Sequence, residues 1–155
     1  MTGYPLQAAW ELRRREEEAA LRGLEEARRV RAAAETRAAE RRQMWDTART
    51  AWETARLREP ASTREAGDHE RFLARLRDEH RRTEAVCAEF ERGPLRLAIA
   101  SEDEAQRRYA EARRAREVLE RHRENFRAEQ RRAAERREDE AAEEAARTLR
   151  HHRDR

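Results

Sequence analysis

At 155 residues and 18.5 kDa, with 46% of its residues charged, the chain far exceeds the roughly 25% charge of an ordinary globular domain. Its apolar 37% consists of 31 alanines and only 26 larger side chains, which suits a thin seam and excludes a large globular core. Four glycines, three prolines and few β-branched or aromatic residues exclude sheet architectures, and 34 acids nearly cancel 37 arginines to leave +3.

That balance describes a solvated helix surface laced with ion pairs, whereas a nucleic-acid binder concentrates one sign of charge. No lysine is present. Arginine and alanine are the residues that GC-rich codons supply, so the missing lysine carries no functional weight. The single Cys87 excludes an internal disulfide and fits a reducing compartment. The N-terminus lacks the apolar stretch of a signal peptide, and no run approaches the roughly 18 apolar residues of a membrane span. A cytoplasmic protein without direct membrane insertion is expected.

In chain order, Thr2 offers a cap and Pro5 suits a first helical turn, so a first helix is predicted over about residues 5–58. Glu59-Pro60 to Gly67 reads as a loop over about 59–68, with Asp68 capping a second helix over about 69–150. Gly93-Pro94 predicts a kink or short break near about 92–95, because proline removes a backbone donor and pushes the residue before it out of helical geometry. Ser101 with Glu104 has the form of a capping box, which would make the second arm two helices in line. The fold class is therefore all-α, a long antiparallel two-helix coiled-coil hairpin forming a single domain over residues 1–155.

Heptads define the seam. One row of the first helix is Leu6, Arg13, Ala20, Ala27, Ala34, Arg41, Ala48 and Ala55; its companion is Trp10, Glu17, Leu24, Arg31, Ala38, Trp45 and Trp52. Eleven of these fifteen positions are apolar, the pattern of a coiled coil. In the second arm Phe72 and Val86 share one row and Leu76, Thr83, Phe90 and Leu97 the other. The pattern then slips through Ser101 and resumes as Ala105, Ala112, Leu119, Phe126 and Ala133, a stutter. A turn between the arms would set Trp52 opposite Leu76, Trp45 near Thr83, and Trp10 near Glu117 to Leu119. Everything beyond about residue 124 then overhangs the first helix. The overhang is blocked in charge: residues 127–137 hold five Arg against two Glu, 138–144 hold five acids and no base, and 147–155 hold four Arg against one Asp.

Chemistry-bearing motifs are missing. There is no glycine-rich phosphate loop, no nucleophile with a base, and no metal-ligand spacing. His151-His152 beside Arg153 reads as a polar terminus. Cys87 and His80, seven apart, read as packing on one helix face. No catalytic residue, metal or cofactor is expected.

The segments Tyr4-Pro5-Leu6, Trp10-Glu11-Leu12-Arg13-Arg14-Arg15-Glu16-Glu17-Glu18 and Arg71-Phe72-Leu73-Ala74-Arg75-Leu76, with the unequal arms and the long charged C-terminal helix, resemble the central-stalk proteins of type III secretion, the FliJ/YscO-like family. The resemblance implies a bacterial cytoplasmic protein, peripheral to the secretion apparatus at the inner membrane. Its paired termini would enter a hexameric type III secretion ATPase, and its hairpin end would reach the cytoplasmic domain of the export gate. On that basis Leu6, Trp10, Arg13, Arg14, Arg127, Arg131, Arg132, Arg136 and Arg137 face the ATPase, and Trp45, Trp52, Phe72 and Leu76 face the gate. Gly93-Pro94 departs from the family pattern and leaves Leu95, Leu97 and Ile99 as the least alanine-like patch of the second arm, with two readings: core packing around the kink, or a second docking surface for secretion chaperones. Two rival readings use the same seam: a generic coiled-coil adaptor or scaffold, and, more distantly, a nucleic-acid-binding helical hairpin supported only by the arginine count.

Overall fold

The computed structural model describes residues 4–153, with no side-chain description at 149 or 151–153. Every element in this range is helical: α1 (Gln7–Arg56), α2 (Thr63–Phe90), a five-residue π-turn (Glu91–Leu95) and α3 (Arg96–Arg153). The expected all-α hairpin is the fold. The backbone organises into two units, Leu21–Arg108 around the turn, and Met1–Ala20 with Tyr109–Arg155.

Alanine, arginine, glutamate and leucine sustain α1 for 50 residues. It begins just after the turn that holds Pro5, where Gln7 N–H donates to the Tyr4 carbonyl; the Thr2 cap lies outside the described residues. It ends at Arg56, where Leu57 and Arg58 donate back to Thr54 and Ala55, a tightened last turn. The loop is shorter than the glycine and proline content implies. Ser62, not Asp68, caps α2: its hydroxyl accepts from Glu65 N–H at 3.2 Å. The Glu65 carboxylate in turn accepts from Ala61 N–H at 3.0 Å and pairs with Arg58 at 2.7 Å, so one acid staples the whole connection. Gly67 lies inside α2, and Asp68 spends its charge on Arg71.

Within the turn unit, α1 lies antiparallel to α2 and the start of α3: Trp52 stacks on His80, Arg41 covers Phe90, and Arg31 meets Glu102. Within the other unit Glu17 meets Arg116 and Trp10 lies under Arg123. Trp52 meets His80, one turn beyond the expected Leu76; Trp45 also reaches His80, one turn short of the expected Thr83; and Trp10 reaches Glu120, next to the expected Glu117 to Leu119. Buried positions are Leu24, Ala27, Ala34, Ala38, Ala48, Cys87 and Ala98, mostly small, so the helices approach closely and bury little area each.

Both rows of α1 follow strict heptads and are buried or half-buried from Trp10 to Ala55, apart from exposed Arg13. The second arm carries one extra residue. Its rows are Leu73, His80, Cys87, Leu95, Glu102, Tyr109, Arg116, Arg123 and Leu76, Thr83, Phe90, Ala98, Ala105, Ala112, Leu119, Phe126, all buried or half-buried. Each steps by seven residues except across the π-turn, where Cys87 to Leu95 and Phe90 to Ala98 step by eight. The wider turn absorbs the extra residue and the missing N–H of Pro94, so the helix is widened and not broken. This corrects the expected stutter. The slip precedes Leu97, which is rotated out to 72% exposure, and Ser101 is an exposed residue inside α3 and caps nothing. Phe72 and Val86, expected in the seam, are exposed for the same reason of phase: their neighbours Leu73 and Cys87 take the inner positions.

Candidate functional site

In the unit formed by the start of α1 and α3, a mixed aromatic and ionic cluster joins the two helices. The Trp10 indole N–H donates to the Glu120 carboxylate at 2.5 Å. The Arg123 guanidinium lies 4.1 Å from the centre of the same indole and that of Arg14 5.6 Å. Arg116 faces Glu17 and reaches Glu120 at 3.9 Å; its Nε is in ion-pair contact with Glu17 without hydrogen-bond alignment. The Tyr4 ring tilts against His122 and Phe126 with centroids 5.7 and 5.6 Å apart, and its hydroxyl lies 3.0 Å from His122 Nδ1.

The expected ATPase-facing residues divide accordingly. Trp10 is half-buried and committed to α3. Leu6 and Arg13 do not join the seam: Leu6 is 39% exposed, and Arg13 pairs along its own helix with Glu16 at 2.7 Å. Tyr4 and Gln7 take the inner positions instead. Arg14 pairs with Glu18 at 3.2 Å and stays exposed. Arg127, Arg131, Arg132, Arg136 and Arg137 are all exposed, and none has an ion-pair partner among the described residues. Arg127, Arg131 and Arg137 line an open groove with Tyr4, Phe126 and Ala134. Arg132 and Arg136 are not among its lining residues.

In the turn unit, His80 is sandwiched between two tryptophans one heptad apart. Trp52 stacks at 5.6 Å with an interplanar angle of 14°, Trp45 at 6.2 Å and 23°. The Trp45 indole N–H donates to His80 Nε2 at 3.0 Å, which assigns the proton of the neutral ring to Nδ1. Of the expected gate-facing residues, Trp45, Trp52 and Leu76 therefore belong to the seam, and Phe72 alone is outward, 44% exposed beneath Arg75. His80 packs, as its spacing from Cys87 led one to expect; what the sequence did not reveal is that its partners are the two tryptophans of α1.

Cys87 is buried, and its thiol faces Glu91, 3.7 Å away, and not His80. Burial, reinforced by the Glu91 charge, pushes the thiol up from its ordinary range. Arg42 pairs with Glu91 at 2.5 Å, and that hydrogen bond holds the Glu91 carboxyl below the usual range. The expected chaperone patch is divided: Leu95 and Ile99 are half-buried in a shallow groove against α1, whereas Leu97 projects elsewhere into solvent. Among the described residues no group of three His, Cys, Asp or Glu side chains is placed to hold a metal ion; the His151-His152 pair lies outside the described side chains. Among the described residues no helix is long and apolar enough to cross a membrane. No family model, curated protein or solved structure matches the chain.

Proposed function

We propose that this chain is a central stalk of a bacterial type III secretion machine, linking the hexameric secretion ATPase to the export gate. The observation that carries the reading is that α3 runs on past the Tyr4–Phe126 packing as a helix presenting five arginines outward. A guanidinium is a rigid fork that matches carboxylates bidentately, so arginines offered from a helix suit contacts with an acid-lined protein ring. Trp10, Glu17, Arg116, Glu120 and Arg123 fix the start of α1 against α3 and so hold the two parts of the pore-directed end together. Phe72, Leu57 and the loop residues between the arms are the groups available at the opposite end.

The test is hydrolysis of ATP by the secretion ATPase of the same organism, with and without the purified chain. Stimulation is expected, and it is expected to fall at least several-fold in an Arg127→Glu, Arg131→Glu, Arg137→Glu variant that retains its helix content. Equal stimulation by that variant, or none by the unaltered chain, rejects the assignment.

A further inference from the structure

The open groove that starts at Tyr4 is built on one face of α3. Arg123, Arg127, Gln130, Ala134 and Arg137 line it at alternating spacings of four and three residues, which keeps them within about a quarter of the helix circumference. Arg131 adds to one flank of this row, and Phe126, packed on Tyr4, closes the other. Arg123 and Phe126 are also the last positions of the two seam rows of the second arm, so the groove continues an interface that α1 has begun. No acid lines it. Among the described residues none of its four arginines has an ion-pair partner, and Arg123 Nε, buried beside the Trp10 indole, has no hydrogen-bond acceptor. A guanidinium partly withdrawn from water without a counter-charge is the state that an incoming carboxylate relieves.

We propose that this groove seats an acidic α-helix of a partner protein. The row from Arg123 to Arg137 occupies about 21 Å of α3, the length of four turns in the partner. Carboxylates recurring at three and four residues on that partner meet Arg123, Arg127 and Arg137, each able to present two parallel donors to a carboxylate. An apolar side chain between them rests on Ala134 and Phe126. A protein helix is favoured over a nucleic acid on two grounds. The alternation of four and three is the repeat by which helix packs on helix. The Tyr4 ring is also taken up by His122 and Phe126 and is not offered to a base. The chain's own acids at 138–144 follow on the same continuous helix and cannot fold back into the groove. The arginines are shared with the secretion reading, but the proposal does not rest on it, because any acidic helix of this pattern fits.

The test titrates the full chain into two dye-labelled alanine-based helical peptides of identical composition, each about 18 residues long, and follows fluorescence anisotropy at low salt. In the first peptide glutamates recur at three and four residues along one face beside leucine; in the second the same residues are spread around the helix. The first should bind at least about ten-fold more tightly than the second. A variant with Arg127→Glu and Arg137→Glu should lose about ten-fold or more of that affinity with unchanged helix content. A variant with Arg114→Glu and Arg121→Glu changes the net charge equally on the opposite, exposed side of α3 and should stay within about two-fold of the unaltered chain. Equal binding of the two peptides, or equal losses in the two variants, overturns the proposal. So does displacement of the first peptide by a single-stranded oligonucleotide of the same charge at the same concentration, which would make the groove a nucleic-acid site. A mass of twice 18.5 kDa in light scattering that the Arg127→Glu, Arg137→Glu variant loses would give the groove to a second copy and overturn it likewise. If that variant loses helicity, the comparison of the two peptides on the unaltered chain decides the matter.

Discussion

Glu17 and Arg116 occupy facing positions of the seam with side chains only 16% and 27% exposed, and they show how an arginine-rich zipper tolerates polar residues inside it. Apart from exposed Arg13, each interruption of the α1 rows has an answer on the other arm: Arg116 for Glu17, Glu102 for Arg31, the Phe90 ring for Arg41. Glu17→Ala leaves Arg116 half-buried without its main partner and should cost about 1–3 kcal/mol in urea unfolding. Glu18→Ala, which removes only the exposed pair with Arg14, should cost about 0.5 kcal/mol or less; equal losses would mean that these matched pairs do not hold the seam. Glu91 gives the pH-dependent counterpart. Its folded carboxyl lies below the unfolded value because of Arg42, so the pair stabilises above the unfolded carboxylate range and is lost as pH falls through the folded value. Arg42→Ala should accordingly be less stable than the unaltered chain at neutral pH, with the gap closing in acid. A gap that stays constant with pH would assign the effect to packing.

At the level of the element, one extra residue in the second arm governs which side chains face inward. Deleting Pro94 removes both that residue and the missing donor, letting both rows step by seven throughout. It should preserve helix content and raise stability by about 1–3 kcal/mol. Deleting Gln106, in a regular stretch, should rotate all that follows by about 100° and strip Tyr109, Arg116 and Arg123 from α1. Comparable damage from the two deletions, followed by urea denaturation, would disprove the phase argument. The same feature explains what could be read in advance. The rows of α1 follow from composition and spacing alone, because nothing interrupts them. In the second arm Gly93-Pro94 marks the irregularity, but neither residue says whether the helix breaks, bends or admits one more residue, and only that choice decides between Leu97 and Ala98. The capping serine was also present in the sequence as Ser62 with Glu65; Gly67 concealed it, since a glycine suggests loop although an open helical position accepts it at roughly 1 kcal/mol. The exposed arginines from 127 onward were legible as a charge block, whereas the outward turn of Phe72 was not, because Phe72 and Leu73 compete for one seam position.

At the scale of the whole molecule, the division into two units makes the turn unit separable. A peptide of Leu21–Arg108 retains the Ser62 cap, the tryptophan–histidine stack and the Arg31–Glu102 pair, and it should fold as a helical monomer with a cooperative urea transition. A featureless, gradual loss of ellipticity would show that this unit depends on the remainder of the chain. The three tryptophans are apportioned between the units, Trp45 and Trp52 against an imidazole in one and Trp10 between guanidinium groups in the other. Fluorescence is thereby addressable by region: a Trp10→Phe chain emits only from the neighbourhood of the turn, and a chain lacking the other two indoles emits only from the start of α1. Recorded side by side during heating, the two signals would date the opening of each unit without any attached dye.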